Sequence, residues 1–315
     1  MKRKYFSYYF LIILLFPSCR KSIKEEYKVG LDSAIAGNYE EAIALFSEIV
    51  IKDSSISEVY QSRGFCYFSL QAYKKAQKDF EYAYSISKKP QLQFNLGTVH
   101  VNQGNYASAL THLNKFEQDN PDDVNLWLQK ALCLSQLKNY SDALPYYEKA
   151  QRVFPDSLAL TKKIGLCNFQ MHNYRGAIST LKLYIDTLKD DKGSFEMIAF
   201  SHHELGQYQE AKLYFDQMTE LGFELKDKTQ TLYIKNLLNL GQQMYIMESY
   251  VPSLQTFTEV LTLDPLNNEA YFYRGLVQLH YNKGFEACED FNLAFANGHP
   301  DAISIMKKNC KEYFD

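Results

Sequence analysis

The chain has 315 residues, 46% of them hydrophobic and 15% aromatic, as in an ordinary folded protein. The formal net charge is −3; Lys2, Arg3 and Lys4 lie in a first segment without an acid, so the remainder carries 31 basic against 37 acidic residues, a net of −6. A mildly acidic surface leaves no electrostatic footprint for nucleic acid, which excludes that partner class.

Residues 1–18 read as a secretory signal. A basic start is followed by an apolar run of twelve residues, Tyr5 to Phe16, and a spanning helix needs about 20. The run ends at Phe16-Pro17-Ser18-Cys19. This resembles the lipobox of bacterial lipoproteins, with Phe16 where that family usually has Leu. The resemblance implies that Cys19 is diacylated and becomes the first residue of the mature chain. Two acyl chains anchor stably where one is marginal. Arg20 and Lys21 stand where an Asp or an acidic run would, in that family, mark inner-membrane retention or surface export. The expectation is an outer-membrane lipoprotein on the periplasmic face, with residues 19–22 as a tether.

Residues 23–225 repeat. Ala42, Ala76, Ala109, Ala143, Ala177 and Ala211 recur at separations of 33 or 34. Three residues before each stands Tyr39, Tyr73, Tyr106, Tyr140, Tyr174 or Tyr208. Four after each comes Phe46, Phe80, Leu113, Tyr147, Leu181 or Phe215, on the same helical face. Gly37, Gln71, Gly104, Lys138, His172 and Gly206 mark the turn before that helix. In the helix before the turn, Gly30, Gly64, Gly97, Ala131, Gly165 and Ala199 share one phase. Gly inside a helix costs about 1 kcal/mol against Ala, so its recurrence predicts a seam of close helix contact. Residues 226–233 stretch the next spacing to 42. They are expected to lengthen a helix or form a longer loop, and to divide the repeats into sub-arrays. Residues 234–300 hold a seventh and an eighth unit, with Ser253 in place of the first Ala and Gly284 in place of the second aromatic. Residues 301–315 predict a capping helix with Lys307, Lys308 and Lys311 on its outer face.

The fourth unit carries the clearest pattern. Trp127, Ala131, Tyr140, Ala143, Tyr147, Ala150 and Pro155 resemble one tetratricopeptide (TPR) unit of roughly 34 residues. The resemblance covers about residues 23–300. It implies an all-α fold, a right-handed TPR superhelical solenoid of about eight helix-turn-helix repeats with a C-terminal capping helix. In that family the first helices line a concave face that holds a peptide or a partner's helix. The phase projects Phe65, Phe68, Phe94, Leu128, Leu132, Phe169, Phe200, Tyr245 and Phe272 inward as a peptide-binding groove. The Lys and Asn clamp of TPR chaperone adaptors is not evident, with Lys162 and Asn95 isolated. An apolar groove prefers an apolar peptide or amphipathic helix. The alternative reading is that these aromatics pack between neighbouring first helices.

Cys66, Cys133 and Cys167 share one phase and read as small buried hydrophobes. Cys288 and Cys310 fall where a cap would pack on the last unit, and in an oxidising periplasm they are a candidate pair. Adjacent His202 and His203 point to different faces and cannot chelate together; His202 takes the inward phase. No metalloprotease, esterase or phosphate-loop motif is present. The reading is a non-enzymatic scaffold or adaptor without cofactor or metal, lipid-anchored to the membrane, with an unidentified protein partner. The alternatives are a structural subunit of a permanent envelope complex and a chaperone-like carrier of secreted clients.

Overall fold

The computed structural model describes residues 22–311. Among these residues the chain forms seventeen helices and no strand. It divides into two compact units, 22–129 and 130–311. The first holds α1 (Ile23–Ile35), α2 (Tyr39–Lys52), α3 (Ser57–Ser69), α4 (Tyr73–Ser87), α5 (Pro90–Asn102) and α6 (Tyr106–Glu117). The division falls in α7 (Val124–Gln136). The second holds α8 (Tyr140–Val153), α9 (Leu158–Gln170), α10 (Tyr174–Thr187), α11 (Lys192–Glu204), α12 (Tyr208–Glu220), α13 (Asp227–Ile246), α14 (Tyr250–Leu263), α15 (Asn268–His280), α16 (Gly284–Ala296) and α17 (Ala302–Asn309). Residues 1–21, which hold the expected signal segment and Cys19, and residues 312–315 lie outside the described residues.

Local chemistry sets the helix starts. Ser22 and Glu25 close a capping box: Ser22 Oγ accepts from the Glu25 N–H, and the Glu25 carboxylate accepts from the Ser22 N–H. Pro90 opens α5, where a missing N–H costs nothing. The turn residues take the left-handed conformation, from φ 57° at Gln71 to 83° at Gly37, and Glu248 and Asn282 repeat it in the last two units. This tight turn folds each second helix back on its first.

The seam lies where the Gly and Ala phases place it. Ala42, Ala76, Ala109, Ala143, Ala177 and Ala211 are fully buried. A Cβ on Gly97 would stand 2.8 Å from Leu113 Cδ2, and one on Gly165 would stand 2.5 Å from Leu181 Cδ2. Hydrogen is the side chain that fits there. Ser253, at the Ala phase of the seventh unit, is buried without penalty because its Oγ donates to the Gly241 carbonyl at 2.9 Å. Gly97→Leu is expected to overpack the seam and cost about 1–3 kcal/mol in urea unfolding. Unchanged stability would contradict this register.

Residues 226–233 lengthen a helix. From Asp227 they are the first turns of α13, which runs to 20 residues. The extension packs because Tyr233 is buried between α12 and α14. Its hydroxyl donates to the Glu259 carboxylate, with Asp216 Oδ1 at 3.0 Å as the alternative acceptor, and Lys212 bridges both acids. Burial first, and the Glu259 bond next, push this phenol far above its usual range, so it remains a donor. The compact units part at 129/130.

One other expectation changes. The buried histidine of α11 is His203, not His202. His203 donates to Asn236 Oδ1 at 3.1 Å, and Asn236 donates to the Tyr208 carbonyl at 2.9 Å. His202 stacks half-exposed on Tyr214. Within the expected cap, α17 runs from Ala302 to Asn309, and residues 312–315 lie outside the described residues. Cys288 and Cys310 form a disulfide with a Cα–Cα distance of 5.7 Å, tying the end of α17 to α16.

Candidate peptide-binding groove

The first unit carries an open cleft of about 660 Å³ formed by α1, α3 and α5. Its α1 wall is Tyr27, Leu31 and Ile35, one stripe at four-residue spacing. No earlier helix among the described residues covers that stripe, and Ile35 is 85% exposed. Its α3 wall is Glu58, Gln61, Ser62 and Phe65, and α5 adds Gln91 and Asn95. Tyr27 and Ser62 hydroxyls meet at 2.9 Å and fix the first two walls. Lys89 donates to the Glu58 carboxylate and holds it below its usual range, so the acid at the rim stays ionised and paired.

Phe65 and Asn95 also line a second recess of about 210 Å³ with Phe68, Phe80, Phe94 and Thr98. The structure thus brings Phe65, Phe68 and Phe94 together. Phe65 is 55% exposed, an open aromatic face on a first helix. Phe68 and Phe94 are half-buried, against Tyr73 at 5.5 Å and Phe116 at 5.1 Å. The lining offers apolar surface with amide and hydroxyl groups at intervals, the chemistry that accommodates a peptide.

The other projected residues stand apart from this cleft. Leu128 and Leu132 are half-buried on α7. Phe169 and Phe200 pack edge-on at 5.5 Å, and Tyr174 completes the triad. They are spacers between adjacent first helices. Tyr245 lies between Tyr250 and Tyr273. Phe272 belongs to the terminal core, not to a groove: it is 8% exposed, stacks on His299 at 4.0 Å and packs against Phe291. Periodicity overlooked the α1 wall, although the spacing of Tyr27, Leu31 and Ile35 was its signal.

Cys66, Cys133 and Cys167 are free and buried, and burial pushes each thiol up to about 11. They stay protonated near neutrality and pack as small apolar side chains. Among the described residues, no group of three or more His, Cys, Asp or Glu could hold a metal ion. Among them, too, no helix is long and apolar enough to cross a membrane.

Consecutive helix-turn-helix units with this turn and this seam define a tetratricopeptide-repeat fold. Residues 69–150 match the family described as anaphase-promoting complex, cyclosome, subunit 3. Tetratricopeptide repeat protein 12 of Mus musculus is 30% identical over 93 residues, which is 29% of this chain and only 13% of that protein. The C-terminal part of a TPR repeat-containing protein from Cytophaga hutchinsonii aligns with TM-score 0.52 and 20% identity, covering 78% of this chain and 97% of that one. YrrB, described as a TPR protein with an unusual peptide-binding site, aligns with TM-score 0.50 and 22% identity over 55% of this chain and 90% of its own. At these identities the two structures speak to the fold alone.

Proposed function

We propose that the protein is a protein-interaction scaffold that holds an apolar peptide segment or helix in the α1–α3–α5 cleft. The observation that carries this is Phe65, a large aromatic ring left 55% exposed at the junction of two recesses. A folded monomer gains nothing from leaving that ring in water, whereas a partner's apolar side chain would cover it. The amides of Gln61, Gln91 and Asn95 supply donors and acceptors for the partner's backbone.

The scaffold is anchored at the periplasmic face of an outer membrane through acylated Cys19. The sequence of residues 1–19 supports this, and the Cys288–Cys310 disulfide fits an oxidising compartment. Cys19→Ala is the test of the anchor: it releases the protein from membranes, and retention in the membrane fraction would refute it.

Peptides selected by display against residues 20–315 test the cleft. Phe65→Asp is expected to weaken them at least about tenfold. Leu183→Asp, at a 66%-exposed position on α10, leaves affinity unchanged. Both positions already face water, so neither change threatens the core. Equal affinity in wild type and Phe65→Asp would contradict the assignment.

A further inference from the structure

A third, chemically different recess of about 840 Å³ opens at the start of α4, between the α3–α4 and α5–α6 turns. Tyr73, Lys74, Lys75, His100 and Gln103 line it, and none of the residues lining it is acidic. The cap residue of α4 is Ala72, whose side chain has no acceptor. At the same place in α8 and α10, Asn139 and Asn173 accept first-turn N–H groups. The α4 start therefore keeps the partial positive charge of its first amides.

Its charge pattern is reversed as well. Carboxylates stabilise a helix start and cations its end, yet α4 has no acid in its first turn and carries Lys74 and Lys75 there. Neither lysine is in an ion pair among the described residues, and Lys75 Nζ rests 5.4 Å over the Tyr67 ring. Across the recess His100 is 9% exposed, and its Nδ1 has no hydrogen-bond partner. The ring is held by stacking on His112 at 5.2 Å, while His112 is itself bonded to the Gln93 carbonyl oxygen at 2.8 Å. Gln103 accepts from Asn105 through its own carbonyl, so its amide nitrogen remains a donor. Two lysines without an ion pair and the ring of His100, whose buried Nδ1 has no partner, line one acid-free space at a helix start without a side-chain cap.

We propose that this recess binds an oxyanion, the phosphate or carboxylate head of a ligand larger than a bare ion. The anion supplies the cap that Ala72 lacks and the countercharge for Lys74 and Lys75. The site lies at the turns of the second and third units and is independent of the apolar cleft.

Inorganic phosphate, and acetate in a separate series at matched ionic strength, are titrated into the full chain while NMR follows the His100 ring and the Lys74 amide. Saturable shifts at both are expected, with no shift at exposed His172. The pair Lys74→Gln and Lys75→Gln, both exposed, weakens binding about tenfold. Ala72→Asp, which places a carboxylate at the helix start, abolishes it and stabilises α4. Saturation by phosphate alone assigns a phosphate-bearing ligand, and saturation by acetate as well assigns a carboxylate-bearing one. No saturable shift with either anion, or equal affinity in wild type and both variants, would overturn the proposal.

Discussion

Asp79→Ala is expected to cost about 3–5 kcal/mol. Arg63 Nε and Nη2 each donate to the Asp79 carboxylate at 2.8 Å, and Nη1 donates to Ser47 Oγ at 3.1 Å. One guanidinium therefore ties α2, α3 and α4 together. Asp79 is 6% exposed, and removing it strands a positive charge away from water. Arg63→Met with Asp79→Leu removes both charges and should recover most of the loss, because an apolar pair of similar volume fits the same site. Hydrogen exchange in α3 and α4 is the suitable measurement, since repeat arrays need not unfold in one step. A loss below about 1 kcal/mol, the range of exposed pairs, would show that the pair is solvated. The same clamp recurs in the eighth unit, where Arg274 grips Asp290 at 2.7 and 2.8 Å, so Asp290→Ala should behave alike.

Opening the Cys288–Cys310 disulfide is expected to cost about 3 kcal/mol, from the loop closed by a separation of 22 residues. The loss should be local. α17 has eight residues, too few to hold as an isolated helix, and it buries Ala302 against Phe272 and Phe291 in the terminal cluster. Cys310→Ser should make the last turns the first site of proteolytic cleavage and leave the first unit unaffected. Intact mass with and without reductant checks the bond itself. Alkylation of both cysteines in protein unfolded without reductant would contradict it.

The repeat register was legible because helix packing imposes it on side-chain size. The buried Ala of each second helix and the Gly facing Phe46, Phe80 or Leu113 leave a pattern that survives in one sequence. The Arg63–Asp79 and Arg274–Asp290 clamps are also written there: in both, Arg precedes the seam Gly and Asp precedes the Phe that faces it. Finding them required knowing that these two phases meet across the helix pair. The groove was legible only in part. A single inward phase treats all first helices alike, but the ends of an array differ from its middle. At the start of the described residues, α1 leaves Ile35 exposed and Tyr27 and Leu31 half-buried as a wall. At the end, His299 closes over Phe272 and turns a projected groove residue into core. In between, Phe169 and Phe200 meet each other because their rings are long enough to span two neighbours. The direction of residues 226–233 was undetermined by spacing alone. Burial of Tyr233 among Lys212, Asp216 and Glu259 decides for helix.

The cleft on α1, α3 and α5 is tested most directly by a photo-crosslinking residue placed at Phe65 in cells and, as control, at Leu183. The account predicts a discrete protein adduct from position 65 that disappears when Phe94→Asp is added, and none from position 183. Adducts from position 183 with none from position 65 would contradict it.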